Sequence, residues 1–174
     1  MQLPRVSIVL PFFNARATLG ETLESIRCQT WENFELVAVD DGSTDGSADL
    51  VLETLGGDSR LRLFRPGHTG IVGAMNRGLR QARGEYVARM DADDRMHPER
   101  LQRQMAYLDT HPSVGLVGSR VRLFPEALIE GGFREYVRWQ NECVSPAEIA
   151  ANIYVELPVA NPSIMFRRRL FTEL

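Results

Sequence analysis

Apolar residues in this chain come in short unbroken runs, separated by stretches of helical periodicity. Residues 5–10 (RVSIVL) and 34–39 (FELVAV) are near-continuous runs, the pattern of parallel strands buried on both faces. Residues 61–64 and 85–90 (EYVARM) are further strand-like runs. Between them the period lengthens. Leu19, Leu23 and Ile26 share one helical face, as do Ala48, Leu52 and Leu55, and then Ile71, Met75, Leu79 and Ala82. Leu101, Met105 and Leu108 mark a fourth helix, with Pro98 at its first turn. Asn14 is placed to cap the first helix, Gly56-Gly57 to stop the second and Gly84 to end the third. Residues 114–117 predict another strand. After about Arg120 the pattern weakens. Pro125 and Gly131-Gly132 predict a loop, and residues 135–141, with Tyr136 and Trp139, a flap or a hydrophobic plug. A short helix over 146–151, a strand over 163–166 and a helix-like tail over 167–174 complete the reading.

Strand and helix alternate four times before the last strands. That order predicts an α/β fold: a mainly parallel sheet with helices on both faces, in one domain over residues 1–174. Ligands of such sheets bind outside the carboxyl ends of the strands. Residues 11–14, 40–43 and 91–94 all fall at carboxyl ends, on three different strands, so they are expected to converge on one crevice.

The last of these segments, Asp91-Ala92-Asp93-Asp94, sets three carboxylates within four residues. Clustered acids repel unless a positive group joins them, and a divalent cation shared with a substrate's phosphates is one such group. Asp91 and Asp93 then form an Asp-x-Asp clamp for a metal-diphosphate. The alternative is a polar loop leading into the helix near Pro98. The segment DDGSTDGS (residues 40–47) invites two readings that are compatible. Asp41 can accept a hydrogen bond from a nucleobase or ribose, while Thr44 or Asp45 caps the following helix.

Composition narrows the choice of chemistry. A net charge of −3 gives no electrostatic reason to expect nucleic acid as a partner. All 20 basic residues are arginine, which excludes a Schiff-base lysine, a P-loop lysine and the lysine a response-regulator receiver needs. Cys28 and Cys143 form neither a disulfide framework nor a zinc spacing, and His68, His97 and His111 show no paired ligand spacing. No signal peptide or transmembrane run stands at the amino terminus.

Three stretches together resemble the large family of inverting glycosyltransferases usually numbered family two, which has the GT-A fold. They are VSIVLPFFNARATLGETLESIRCQT, FELVAVDDGSTDGS and GIVGAMNRGLRQARGEYVARMDADDRMHPERL, with PVANPSIMFRRRL as a later match. The resemblance implies transfer of a sugar from a nucleotide-diphosphate donor to a hydroxyl, with inversion and with Mg2+ or Mn2+ as cofactor. It puts the base-binding acid on Asp41, which suits the N3–H of uracil or thymine and so a UDP- or dTDP-linked sugar. Pro11, Phe13 and Asn14 fall where the first strand's end lines the nucleoside pocket. Gly70 and Asn76 fall beside the base and diphosphate, although Asn76 reads equally well as a solvated helix residue. Asp93 takes the metal-ligand position, and Asp91, with Ala92 between, the position near ribose and metal. Residues 135–141 would wall the acceptor side. Arg167-Arg168-Arg169 would meet a diphosphate or an anionic membrane, or form a solvated face. The family's general base follows a segment like PSIMFRRRL and is expected beyond Leu174, so the chain is expected to lack its carboxyl-terminal portion. A saccharide or lipid-linked acceptor, bacterial cell-envelope polysaccharide synthesis and a cytoplasmic place, peripheral at the inner membrane face, are further implications. The rival reading is a non-catalytic nucleotide-sugar-binding module or an inactive fragment. A sugar nucleotidyltransferase is disfavoured, because Pro11-Phe12-Phe13-Asn14 is not a glycine-rich basic loop.

Overall fold

The computed structural model describes residues 3–125, 129 and 131–172. Glu173 and Leu174, the end of the expected helical tail, lie outside the described residues. The strands are β1 (Val6–Phe12), β2 (Phe34–Asp40), β3 (Leu61–Phe64), β4 (Tyr86–Arg89), β5 (Leu116–Val117) and β6 (Met165–Arg167). The helices are α1 (Arg16–Arg27), α2 (Ser47–Leu55), α3 (Gly70–Gln81), α4 (Arg100–Thr110), α5 (Gly131–Glu142), α6 (Pro146–Asn152) and α7 (Arg169–Thr172). One six-stranded sheet forms in the order β3-β2-β1-β4-β6-β5. The first four strands are mutually parallel, while β6 runs antiparallel to both β4 and β5.

Every residue of β1 and β2 is buried, as near-continuous apolar runs require of strands covered on both faces. Alternate residues serve two layers. Ile8, Leu10 and Phe12 pack with Leu19, Leu23 and Ile26 of α1, Val51 and Leu55 of α2, and Leu101, Met105 and Leu108 of α4. Val9, Val37, Val39 and Val87 face α3. Burial of each such side chain contributes about 1.5–3 kcal/mol, which makes this two-sided core the main source of stability.

The α3 face differs from the sequence reading. Ile71 is 59% exposed, and the deepest residues of the helix are Ala74 and Gly78, with Met75 and Leu79 partly buried beside them. A Cβ built on Gly78 would lie 2.4 Å from Val9 Cγ1, so the helix axis sits low on the sheet and small residues line its contact. Pro11 lies buried inside β1. Val9 O accepts from Met90 N–H and Phe12 O from Asp41 N–H, so successive residues face β4 and β2 in turn. Pro11 therefore faces the β4 side, past the last ladder pair Val9↔Arg89, and its missing N–H removes no ladder bond.

Other corrections concern ends and edges. Asn14 does not cap α1. It adopts a left-handed φ of 47°, and its Oδ1 accepts from Thr44 N–H at 2.9 Å. The amino end of α1 is served instead by Asp45 and Ser47, which accept from Arg16 N–H at 3.0 Å and Ala15 N–H at 2.9 Å. Pro98 precedes α4 rather than lying in its first turn. Gly131 and Gly132 begin α5, where a loop was expected, because Val137 and Gln140 on that helix find cover. Arg167 and Arg168 are half-buried rather than a fully solvated face. Arg167 donates to Val114 O at 2.9 Å and Leu108 O at 2.6 Å, Arg168 to Gly84 O at 2.7 Å, all at the amino end of β4. Among the described residues no helix is long and apolar enough to cross a membrane.

Gly78→Ala forces its methyl group into Val9, and overpacking of this kind costs about 1–3 kcal/mol, more than the helix propensity gained. A thermal melt is expected to show a fall of several degrees. An unchanged or higher Tm would mean that α3 does not sit this close to the sheet.

Candidate functional site

The chain runs from β1 outward to β2 and β3, then crosses back so that β4 enters on the other side of β1. Adjacent strand ends diverge at that switch point and leave a crevice. Its walls are the tips of β2 and β4, two strand spacings or roughly 10 Å apart. The register sets Phe12 against Asp40 and Val9 against Arg89, so continuing it brings Asp41 level with Phe13 and Asp91 level with Pro11. The three segments expected to converge do so.

On the β4 side, Met90 N–H donates to Val9 O at 3.0 Å and Arg89 N–H to Ile164 O at 3.0 Å. The chain then turns, with Asp94 N–H reaching Asp91 O at 3.3 Å. Helix α1 holds this turn by its side chains. The Thr18 and Thr22 hydroxyls donate to Ala92 O at 2.9 and 3.0 Å, and Thr22 also reaches Asp94 O at 2.8 Å. One turn along, Ser25 Oγ accepts from Met96 N–H at 3.1 Å, and Gln29 donates to His97 O at 2.8 Å. Ala92 therefore contributes to the site by anchoring backbone, its carbonyl being taken by two hydroxyls.

The carboxylates of this turn differ in their surroundings. Asp91 is held by Arg89 Nε at 3.1 Å. Asp93 is exposed, and among the described residues nothing donates to its carboxylate. Asp94, half-buried, is pushed up to about 6 by burial and then by the charges of Asp93 and Asp91, against the opposing pull of Arg100 and Arg89. Arg100 is buried beneath the turn, donating to Arg89 O at 3.0 Å and Ile164 O at 3.1 Å, and burial lowers it to about 10. The turn thus carries more negative charge than its two arginines offset. Among the described residues no group of three His, Cys, Asp or Glu side chains forms a metal cage. A hard cation shared with phosphate oxygens needs only one or two carboxylates, and Asp93 and Asp91 suit that role.

On the β2 side, Asp40 is buried and accepts from Ser43 N–H at 2.8 Å and Arg65 Nε at 3.2 Å. Asp41 is also buried, and its carboxylate caps α3. Oδ1 accepts from Thr69 N–H at 2.7 Å and from the Thr69 hydroxyl at 2.9 Å, while Oδ2 accepts from Gly70 N–H at 2.8 Å. His68 Nδ1 lies 3.0 Å from both Oδ2 and the Asp41 backbone oxygen. Both are acceptors, so Nδ1 carries the proton. A carboxylate has about four acceptor positions; Thr69 and Gly70 fill three of them, and the hydrogen bond of His68 goes to the backbone oxygen. Burial alone would raise the Asp41 carboxyl, but the bonds from Thr69 and Gly70 outweigh it and hold it below the ordinary range. Gly70 meets this geometry with φ +78° and Gly42 with φ +89°, values that favour glycine.

Phe13 stands 48% exposed at the tip of β1, its ring centroid 4.8 Å from that of His68. Asn14 ties this tip to the β2 loop, its N–H donating to Ser43 Oγ at 3.0 Å. Of the expected site residues, Phe13, Asn14, Asp41, Gly70, Asp91, Ala92 and Asp93 come together at the switch point. Pro11 lies beneath as support, and Asn76 lies half-buried in the second turn of α3 with no hydrogen bond to its side chain among the described residues. Asp94 was expected only as one of the clustered acids, and His68, Arg89, Arg100 and the α1 threonines were not anticipated, with no local signal to mark them.

The family described as Glycosyl transferase family 2 matches residues 7–174. The putative glycosyltransferase EpsE of Bacillus subtilis is 35% identical over 130 residues, covering 74% of this chain and 47% of that protein. S. aureus TarS in complex with UDP-GlcNAc matches with a TM-score of 0.71 at 23% identity, over 97% of this chain and 47% of that one. The mannosyltransferase PcManGT from Pyrobaculum calidifontis, in complex with GDP-Man and Mn2+, matches with a TM-score of 0.71 at 26% identity, over 98% of this chain and 46% of that one. The sheet order and helix placement are therefore those of the GT-A fold. The chain spans about half the length of the curated relatives it matches.

Thr22→Val keeps the shape of a buried side chain and removes its donor to Ala92 O and Asp94 O. Leaving Asp94 O unmet is expected to cost about 1–3 kcal/mol. Hydrogen exchange at the amides of residues 91–96 should accelerate more than exchange in β1 and β2. A uniform change, or none, would mean that α1 does not anchor the turn.

Proposed function

Because this chain belongs to glycosyl transferase family 2, we propose that residues 1–174 bind the nucleotide-diphosphate sugar donor of a metal-assisted sugar transfer. The observation that carries the reading is the crevice itself, with an acidic turn whose carboxylates outnumber its arginines on one side of the β1 tip and a buried, ionised Asp41 beside an exposed aromatic ring on the other. Phe13 offers a face for a base to stack on. Asp41 accepts the N3–H of uracil or thymine, a proton that cytosine lacks, so the donor is a UDP- or dTDP-sugar. TarS bound to UDP-GlcNAc supports a uridine donor, and PcManGT bound to GDP-Man and Mn2+ supports the metal. Asp93 and Asp91 would hold Mg2+ or Mn2+, which when bound neutralises charge on the departing diphosphate. In the whole enzyme the acceptor hydroxyl attacks the anomeric carbon from the face opposite the diphosphate, which inverts the centre. That attack requires a base to take the hydroxyl proton.

Thr69 and Gly70 leave one acceptor position of Asp41 for a base, and His68 stands over it. Thr69 and Gly70 are fixed by the start of α3, whereas His68 is 63% exposed in its side chain and bonds from a ring free to turn. His68 is therefore the side chain that yields.

Isothermal titration with UDP and Mn2+ tests the reading. Asp93→Asn and Asp41→Asn are each expected to weaken UDP about 10- to 100-fold, as loss of a charged partner does, and a chelator should lower the wild-type affinity. CDP should bind more weakly than UDP. UDP binding indifferent to both substitutions would sink the proposal.

His68→Ala, by contrast, should bind UDP at least as tightly as the wild-type chain, because it removes a competitor for Asp41. A loss of affinity as large as that of Asp41→Asn would make the imidazole a contact to the nucleotide instead.

A further inference from the structure

The two carboxylates of the Asp-x-Asp pair stand in different surroundings, and the difference traces to Arg89. Side chains alternate along a strand, so Arg89 follows Val87 on the α3 face of the sheet, while Ala88 and Met90 join the core on the other face. Asp91 continues the alternation beside Arg89, on the same side as Asp41, whose carboxylate caps α3. Arg89 Nε–H donates to Asp91 Oδ1 at 3.1 Å and Nη2 to Oδ2 at 3.4 Å, so the guanidinium fork spans both oxygens. Asp93, two residues on, is exposed and receives no such fork.

Among the described residues the Arg89 side chain bonds only to Asp91. The other arginines around β4 behave differently. Arg100 reaches from α4 to Arg89 O and Ile164 O, and Arg167 reaches from β6 to Leu108 O, Val114 O and the Tyr86 hydroxyl, so each ties separate elements together. Arg89 bonds no second element by its side chain. Its backbone is fixed independently, the N–H donating to Ile164 O at 3.0 Å and the carbonyl accepting from Arg100 at 3.0 Å. With its side chain 24% exposed, Arg89 acts on one carboxylate at a strand tip and braces nothing else.

Of the roughly four acceptor positions of a carboxylate, the fork takes two, and its charge offsets that of Asp91. Asp91 can still accept from a hydroxyl or a metal-bound water, but it is a poor direct ligand for a bare cation. Asp93 is the member of the pair that keeps its full charge. An ion held directly by one carboxylate is weakly held until phosphate oxygens complete its shell.

We propose that Arg89 is a positioning residue that makes metal and nucleotide bind as a unit: its fork keeps Asp91 from gripping a bare cation, so the ion is held firmly only together with the diphosphate. The assignment rests on the donor-site reading above. By linkage, Mn2+ raises the affinity for UDP by the same factor as UDP raises the affinity for Mn2+, and Arg89 enlarges that factor by keeping the nucleotide-free site weak.

The probes are Mn2+, titrated with and without UDP and followed by electron paramagnetic resonance, and UDP, titrated calorimetrically with and without Mn2+. Arg89→Gln removes both fork and charge. Free Mn2+ is expected to bind this variant about three- to fivefold tighter than the wild-type chain, the size of one partly exposed ion pair, and the factor by which Mn2+ improves UDP should shrink to match. Arg89→Lys, which keeps the charge and loses the fork, should fall between the two and guards against a folding defect. In the double variant R89Q/D91N the gain should vanish relative to D91N, because no released carboxylate remains. Free Mn2+ affinity that is unchanged or lowered in both Arg89→Gln and Arg89→Lys would mean that the arginine serves only the fold, and would overturn the proposal. So would a gain that persists from D91N to R89Q/D91N, which would make Arg89 a remote charge and not a partner of Asp91. If UDP fails to bind the wild-type chain, the donor reading falls, while Mn2+ titrated without nucleotide still decides whether Arg89 restrains Asp91.

Discussion

Side-chain hydrogen bonds from one edge of α1 hold the crevice in shape. Acidic turns are poor structures by themselves, since their charges repel and their carbonyls find no ladder. Here Thr18, Thr22, Ser25 and Gln29, spaced along α1, bond successive backbone groups from Ala92 to His97. The amino end of the same helix is bonded to Asp45 and Ser47 from the β2 loop. One rigid element thereby references both walls of the crevice to each other, and α1 is itself set by Leu19, Leu23 and Ile26 in the core. Preorganisation of this kind places charged groups before any ligand arrives.

The electrostatics of the two walls are opposite in character. At Asp41 the carboxylate accepts three hydrogen bonds from Thr69 and Gly70 and is held ionised. In the acidic turn the carboxylates outnumber their partners, and Asp94 is pushed up to about 6 first by burial and then by the charges of Asp93 and Asp91. Arg100 lies below and spends its donors on the Arg89 and Ile164 carbonyls, so it braces the turn more than it neutralises it. A hard cation and a diphosphate, arriving together, would relieve the repulsion that the bare turn retains.

Much of the fold was legible because its determinants are local. A buried parallel strand needs a continuous apolar run, and β2 and β3 appear within a residue of the expected ends. The convergence of residues 11–14, 40–43 and 91–94 followed from strand direction alone, since parallel strands share a carboxyl edge. The places where reading failed share a cause. Asn14 has the right chemistry for a helix cap, but Ser43 and Thr44, distant in sequence, claim its polar groups. Ile71 fits an apolar face that α3 does not bury, because Gly78 lets the helix rotate its small residues onto Val9. Arg167 and Arg168 look like surface charge until β6 is inserted beside β4, where they meet Tyr86 and Gly84.

Sequence by itself determined the strand–helix alternation, the family and the acids at two strand tips, because periodicity and short-range spacing are properties of neighbours along the chain. Tertiary structure alone decided that β6 separates β4 from β5 and that an isolated histidine rests on Asp41. Those outcomes depend on which surfaces meet, and meeting is settled by how whole elements bury their apolar faces against one another, which no local pattern encodes.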